Sequence, residues 1–187
     1  MKQLPSKVKE LLRIGGGILA VLFYLLYVIH YVAIGRAYNI VWTCHIGCLL
    51  VGVGLLLRKA VLNSIGLIWV TLGIPLWILN LISGSQSLVY SFLTHWGGFL
   101  LGLLGVYLLG IRKGSWWKTI LAIALFAPLT HFLTPPAENI NLMHSIWAGW
   151  ENVFRTFPLF LAAVLLYCSA VAVALERILL FFKPQNN

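Results

Sequence analysis

The sequence predicts an all-α fold, a polytopic membrane protein built as a six-helix transmembrane bundle with both termini cytoplasmic. Of its 187 residues, 61% are hydrophobic and 9% are charged. The apolar residues come in runs of about 18 to 24, the length at which a helix spans a bilayer. The cationic residues behind the net charge of +9 lie at the ends of these runs. They form no patch interleaved with exposed aromatic residues, so the charge does not indicate a nucleic-acid partner.

The six predicted spans follow one another closely, so residues 1–187 are expected to form a single transmembrane domain. The longest polar interval, about 134–155, is too short to bury a core of its own. The spans are predicted at about 14–34, 40–57, 61–82, 88–110, 117–133 and 157–175.

The distribution of Lys and Arg predicts the orientation of these spans, because cytoplasmic loops carry an excess of cations. Eleven of the thirteen fall on one side, and only Arg36 and Arg155 fall on the other. Both termini are therefore expected in the cytoplasm, with an N-terminus that is retained. The eleven are Lys2, Lys7, Lys9, Arg13, Arg58, Lys59, Arg112, Lys113, Lys118, Arg177 and Lys183.

The second span carries polar and small residues along one side. On a helix, Cys44, His45, Cys48 and Gly52 fall within an arc of about 100°. Polar groups at membrane depth need a protein partner or a water-filled cavity, so this stripe is expected to face the interior of the bundle. Cys44 and Cys48 lie one helical turn apart, which is poor geometry for a disulfide, and the thiols are expected to be free.

The predicted orientation brings all five histidines toward the outer face. We therefore expect an outward-opening polar cavity between the second, fourth and fifth spans. Residues predicted to line it or bind substrate there are Thr43, His45, Asn80, Thr94, His131, Glu138, Asn139 and Asn141.

The fourth span places Thr94, His95, Gly98 and Gly102 on one arc. The GxxxG spacing of its two glycines favours close helix packing, so the second and fourth spans are expected to meet through Gly52 and Gly98. The aromatic periodicity over residues 145–155 suggests a short interfacial helix that would roof the cavity.

Two kinds of chemistry fit the histidines and cysteines. Cys44 or Cys48 with His95 would form a thiol–imidazole pair for acyl chemistry, with no cofactor. The alternative is a non-enzymatic or metal-binding membrane protein of an envelope complex, in which His45, His95 and His131 with Glu138 hold zinc or iron. A third interpretation leaves the cysteines as packing residues.

The order of these features resembles the YwaF-like family of bacterial integral membrane proteins. The resemblance rests on Trp42-Thr43-Cys44-His45-Ile46-Gly47-Cys48, on Thr94-His95, on the Arg-Lys-x-x-Trp-Trp-Lys connection at 112–118 and on an Asn-rich outer loop. That family is similar to eukaryotic six-helix membrane proteins that act as lipid acyltransferases or fatty acid ester hydrolases.

The resemblance implies a nucleophile at Cys44 or Cys48, a catalytic His95, membrane lipids as partners with a lipid acyl chain as substrate, and a bacterial inner membrane. The family pattern reads His-x-Cys-Asp. When it is aligned on His45, Gly47 stands at its Cys position and Cys48 at its Asp position.

Overall fold

The computed structural model describes residues 4–82 and 89–181, and within these ranges the fold is built from helices. Five helices are long and apolar enough to cross a membrane, which confirms the prediction of a helical membrane protein with several spans. They are α1 (Ser6–Ala33), α3 (Ala60–Ile82), α4 (Val89–Leu109), α5 (Ser115–Leu133) and α6 (Phe157–Phe181).

The second predicted span is the shorter helix α2 (Thr43–Leu56), of 14 residues. At about 1.5 Å per residue it is about 21 Å long, against about 30 Å for the bilayer core. A 3-10 helix, Ala37–Val41, leads into it. Eight of its residues are buried, so α2 is an inner helix enclosed by its neighbours.

Glycines let α2 lie close to three other helices. A Cβ added to Gly47 would come within 2.9 Å of the Gly66 carbonyl oxygen on α3, and one added to Gly52 within 2.9 Å of the Gly17 carbonyl oxygen on α1. Gly98 of α4 faces the Cys48 side chain, whose Sγ would lie 3.1 Å from an added Cβ. The expectation that Gly52 faces Gly98 is therefore wrong. Since periodicity gives the small face of a helix but not its neighbour, Gly52 was assigned to the wrong helix.

Glu10 is the centre of an ion pair network at one end of the bundle. Its carboxylate accepts hydrogen bonds from Arg13, at 2.7 and 3.0 Å, and from Arg58 at 2.8 Å. The buried Arg13 guanidinium also donates to the carbonyl oxygens of Leu55 and Leu56, which the end of α2 leaves without helical partners. The start of α1 thus lies beside the connection between α2 and α3.

A buried carboxylate joins α6 to the connection before α5. Glu176 accepts hydrogen bonds from the backbone N–H groups of Gly114 at 2.9 Å and Trp116 at 2.8 Å. These amides belong to the first turn of α5, where a negative charge is favoured by the unpaired N–H groups and the helix dipole.

The loop after α5 is tied to the start of α2. The Asn141 side chain accepts from the Thr43 N–H and donates to the Val41 carbonyl oxygen, both at 2.9 Å. Tyr38 Oη donates to Glu138 Oε1 at 2.6 Å. These bonds place the loop over the end of the bundle where α2 begins.

The expected helix over 145–155 is not formed, and turns occupy this stretch. Gly149 has a φ of +88°, which a helix does not allow, and its N–H donates to the Glu151 carboxylate. The aromatic periodicity was therefore misleading.

Helix bounds agree with the predicted spans to within a few residues, except that α1 begins at Ser6 and α6 continues to Phe181. The predicted start of the fourth span at residue 88, Lys2 and Lys183 lie outside the described residues.

Candidate functional site

The site is built on an irregular turn of α4. Residues Leu93–Gly97 form a π turn, in which backbone bonding shifts by one residue, as in the bond from Gly98 N–H to the Leu93 carbonyl oxygen. Such turns are rare and occur often at functional sites. Thr94 and His95 lie in this turn, and both are buried.

The structure brings Cys44, His45 and His95 together. The thiol sulfur and one nitrogen from each ring all lie within 4.8 Å of one another. The three residues are 8%, 4% and 3% exposed, so the group is almost completely enclosed by protein. Three groups able to act as base, nucleophile or metal ligand therefore share one small buried volume.

The orientation of His95 is fixed by the backbone and by two rings. Its Nδ1 lies 2.8 Å from the Ser91 carbonyl oxygen, an acceptor only, so Nδ1 carries the hydrogen and Nε2 carries the lone pair. The ring stacks on Trp77 at a centroid distance of 5.5 Å and meets His45 edge-on at 4.9 Å. His95 therefore presents Nε2 as a base or ligand.

The tautomer of His45 follows from the bonds of Thr94. Thr94 Oγ1 lies 3.0 Å from the Ser91 carbonyl oxygen and 3.2 Å from that of Tyr90, and its single hydrogen is directed to these acceptors. Oγ1 therefore accepts from His45 Nδ1, 2.7 Å away. The Tyr27 ring stacks on the His45 ring at a centroid distance of 3.7 Å. Nε2 of His45 is thus also the lone-pair nitrogen.

Gly73 of α3 packs directly against the group. A Cβ at this position would lie 3.1 Å from His95 Nε2 and 3.2 Å from Cys44 Sγ, and it would overlap the Cys44 Cβ. The base nitrogen and the thiol sulfur therefore both lie next to this residue. A side chain on residue 73 would displace Cys44.

The other two cysteines are packing residues. Cys48 is fully buried, and its Sγ donates to the Ala20 carbonyl oxygen at 3.4 Å. Cys168 lies in a separate apolar cluster with Trp69 and Ala172. Of the two cysteines that the sequence left open, Cys44 is therefore the one that lies with the two histidines.

His131 lies with the loop after α5 and is absent from the buried group. Its ring stacks on His144 at 4.5 Å, and its Nδ1 donates to the Met143 carbonyl oxygen at 2.9 Å. Glu138 binds Tyr38 instead of facing the histidines. The metal set predicted from His45, His95, His131 and Glu138 therefore separates into two places.

The remaining predicted site residues lie in the loop after α5, contact it, or lie at the surface. The Asn139 side chain accepts from the N–H groups of His144 and Ser145, at 2.9 and 3.0 Å, and so shapes the loop. Asn141 binds the Thr43 N–H. Asn80 is exposed near the end of α3.

The helices that enclose the site also differ from those expected, which were the second, fourth and fifth spans. Tyr27 of α1 and Gly73 and Trp77 of α3 enclose the group, while α5 faces α2 and α3 across an apolar groove of about 410 Å³. Tyr27 was missed by sequence reasoning. Its signal was the spacing of Tyr24, Tyr27 and Tyr31 along one side of α1.

Comparison with known proteins gave no match: no family model, curated protein or solved structure resembles the chain significantly.

Proposed function

We propose that this protein is a multi-pass enzyme of a bacterial inner membrane that transfers or hydrolyses the acyl chain of a lipid ester, with Cys44 as nucleophile and His95 as base. The observation that carries the proposal is the closeness of the Cys44 thiol to the His95 ring: the sulfur and a ring nitrogen lie within 4.8 Å of each other, and Cys44 Sγ and His95 Nε2 both lie next to Gly73. A nucleophile, a base and a group that orients the base are the parts that covalent acyl catalysis requires. Here the orienting group is the Ser91 carbonyl, bound to His95 Nδ1.

In this proposal the chain crosses the membrane six times, with α2 as the short inner span and both termini cytoplasmic. Eleven of thirteen cations favour that orientation. The hydrogen bonds that Arg58 donates to Glu10 and that the Gly114 N–H donates to Glu176 support it, because they join segments that it assigns to the cytoplasmic side. The catalytic group then lies toward the outer face.

The reaction uses only groups of this chain and its substrate. His95 Nε2 takes the proton of the Cys44 thiol, and the thiolate attacks the ester carbonyl carbon to form a tetrahedral adduct. The C–O bond to the leaving alcohol breaks, and the alkoxide takes the proton from His95, which leaves a thioester on Cys44. Water or an acceptor alcohol then attacks the thioester and gives its proton to His95, and the thiol is restored as the acid or new ester departs.

The surroundings favour an apolar acyl substrate. The group lies among helices whose outer surfaces carry exposed Leu, Ile and Phe side chains, which suit contact with lipid tails. The resemblance to the YwaF-like family supports the same substrate class. It also supports the pairing of a thiol in the second span with a histidine in the fourth.

Hydrolysis of long-chain esters by the purified protein in liposomes tests the proposal. We expect release of fatty acid or transfer of the acyl chain to an added alcohol, and loss of at least a hundredfold in rate in Cys44→Ser and His95→Gln. Cys48→Ser is the matched control and should retain activity, because Cys48 bonds to the α1 backbone. Equal activity in wild type and Cys44→Ser would overturn the proposal.

A further inference from the structure

We infer that Cys44, His45 and His95 form a binding site for one zinc ion. The site differs from the metal set that the sequence suggested, because the thiol of Cys44 replaces the imidazole of His131. Zinc binding does not depend on the proposed acyl chemistry.

The ligand types and their spacing suit zinc. Zn²⁺ binds thiolate sulfur and imidazole nitrogen at about 2.0 to 2.3 Å, and in a tetrahedral site the ligand atoms are about 3.4 Å apart. The Cys44 sulfur and one nitrogen from each histidine ring already lie within 4.8 Å of one another. Small side-chain rotations therefore suffice to close the three ligands around an ion.

Hydrogen bonds behind the two rings have the arrangement that metal sites use. A metal-binding histidine almost always donates its other N–H to a carbonyl, carboxylate or water, which fixes the ring and its tautomer. His95 Nδ1 donates to the Ser91 carbonyl oxygen, and His45 Nδ1 donates to Thr94 Oγ1. Both Nε2 atoms are left for the ion.

The group supplies three protein ligands, which leaves one position of a tetrahedral zinc ion for water or hydroxide. Three protein ligands with an open position are typical of zinc sites that bind water. A hydroxide, together with the Cys44 thiolate, would neutralise the ion, which matters because an unbalanced charge is costly in this buried setting.

Zinc and acyl chemistry exclude each other at this site. The ion occupies the sulfur that attacks and the nitrogen that accepts its proton. If the proposed function holds, zinc is therefore a reversible inhibitor of the enzyme. His45 separates the two roles, because it is a ligand in the zinc site but neither nucleophile nor base in the acyl reaction.

The test uses the full chain in detergent micelles after treatment with a chelator. Zn²⁺ is added, the free ion is removed, and bound metal is measured by mass spectrometry; Co²⁺ is added in parallel, because a thiolate ligand gives it a charge-transfer absorption band. We expect one Zn²⁺ per chain and the Co²⁺ band in wild type, and at least tenfold weaker Zn²⁺ binding in His45→Gln, His95→Gln and Cys44→Ala. The controls His131→Gln and Cys48→Ser should bind as wild type does.

Two results would overturn the inference. One is the absence of stoichiometric Zn²⁺ binding to the wild-type protein, a result that does not depend on any variant folding. The other is unchanged Zn²⁺ binding in His45→Gln. The proposed enzyme is tested separately, because formation of the Cys44 acyl thioester is measured on the zinc-free wild-type protein, where its absence would overturn the proposed function without affecting the zinc result.

Discussion

His45 Nδ1 lies 2.7 Å from Thr94 Oγ1, and this hydrogen bond joins the inner helix α2 to the π turn of α4. It is formed by two residues that are almost fully buried. Because Thr94 uses its own hydrogen within α4, it holds His45 in one tautomer.

Replacing Thr94 by valine should destabilise the protein by about 1 to 3 kcal/mol, because the buried His45 N–H loses its acceptor. Thr119→Val is the matched control. Thr119 is equally buried, but its hydroxyl donates to the Ser115 carbonyl oxygen within its own helix. Thermal unfolding in detergent measures both, and equal midpoints for the two variants would contradict this role of Thr94.

Replacing Gly73 by alanine should abolish modification of Cys44 by an apolar maleimide. The added Cβ overlaps the Cys44 Cβ and would displace the thiol from His95 Nε2. Gly15→Ala is the control, since no atom lies within 4 Å of a Cβ built there. Peptide mass spectrometry quantifies labelling, and a Gly73→Ala protein that labels at the wild-type rate would refute the importance of this close packing.

Replacing Asn141 by alanine should release the loop after α5 from α2. We expect a loss of about 2 to 3 kcal/mol in the free energy of unfolding, from two lost hydrogen bonds and the strain of a side chain at positive φ. The φ of Asn141 is +55°. Asn152→Ala, at an exposed position of the same loop, is the control. Hydrogen exchange of the Thr43 amide reports the release, and unchanged protection there would count against the clamp.

Acid should destabilise the loop after α5 through His144. Burial lowers the pKa of His144, and the neighbouring His131 lowers it further. In the unfolded chain the pKa of histidine is about 6.5, so the folded state binds fewer protons below that pH. The stabilisation is present above about pH 6.5 and is lost as the pH falls below it.

The unfolding temperature of wild type should therefore fall more steeply between pH 7 and pH 5 than that of His144→Gln. His30→Gln, on α1 and away from this loop, controls for the loss of a histidine. If the slopes of wild type and His144→Gln coincide, His144 makes no contribution to the acid sensitivity.

Sequence periodicity was enough to predict the helices and the polar faces of α2 and α4. It could not predict which helices those faces meet. Gly52 was expected against α4 and lies against α1, because small residues permit close approach to any neighbour. The length of the apolar run likewise concealed that part of the second span, before Thr43, is a 3-10 turn.

The candidate site was predictable for the residues on α2 and α4 and not for the loop. His131 seemed to belong with the other histidines because all were assigned to one face. The path of the loop depends on Asn139 and Asn141, both at positive φ, and on side-chain bonds between distant segments. No local pattern in the sequence encodes those bonds, so the pairing of His131 with His144 could not be foreseen.

The most direct test of the central claim is peptide mass spectrometry of the protein after brief incubation with a long-chain p-nitrophenyl ester. We expect a hydroxylamine-sensitive acyl thioester on Cys44 in wild type and in Cys48→Ser, and none in His95→Gln. Acylation of Cys48 or Cys168 instead, or thioester formation that persists in His95→Gln, would contradict the pairing of Cys44 with His95.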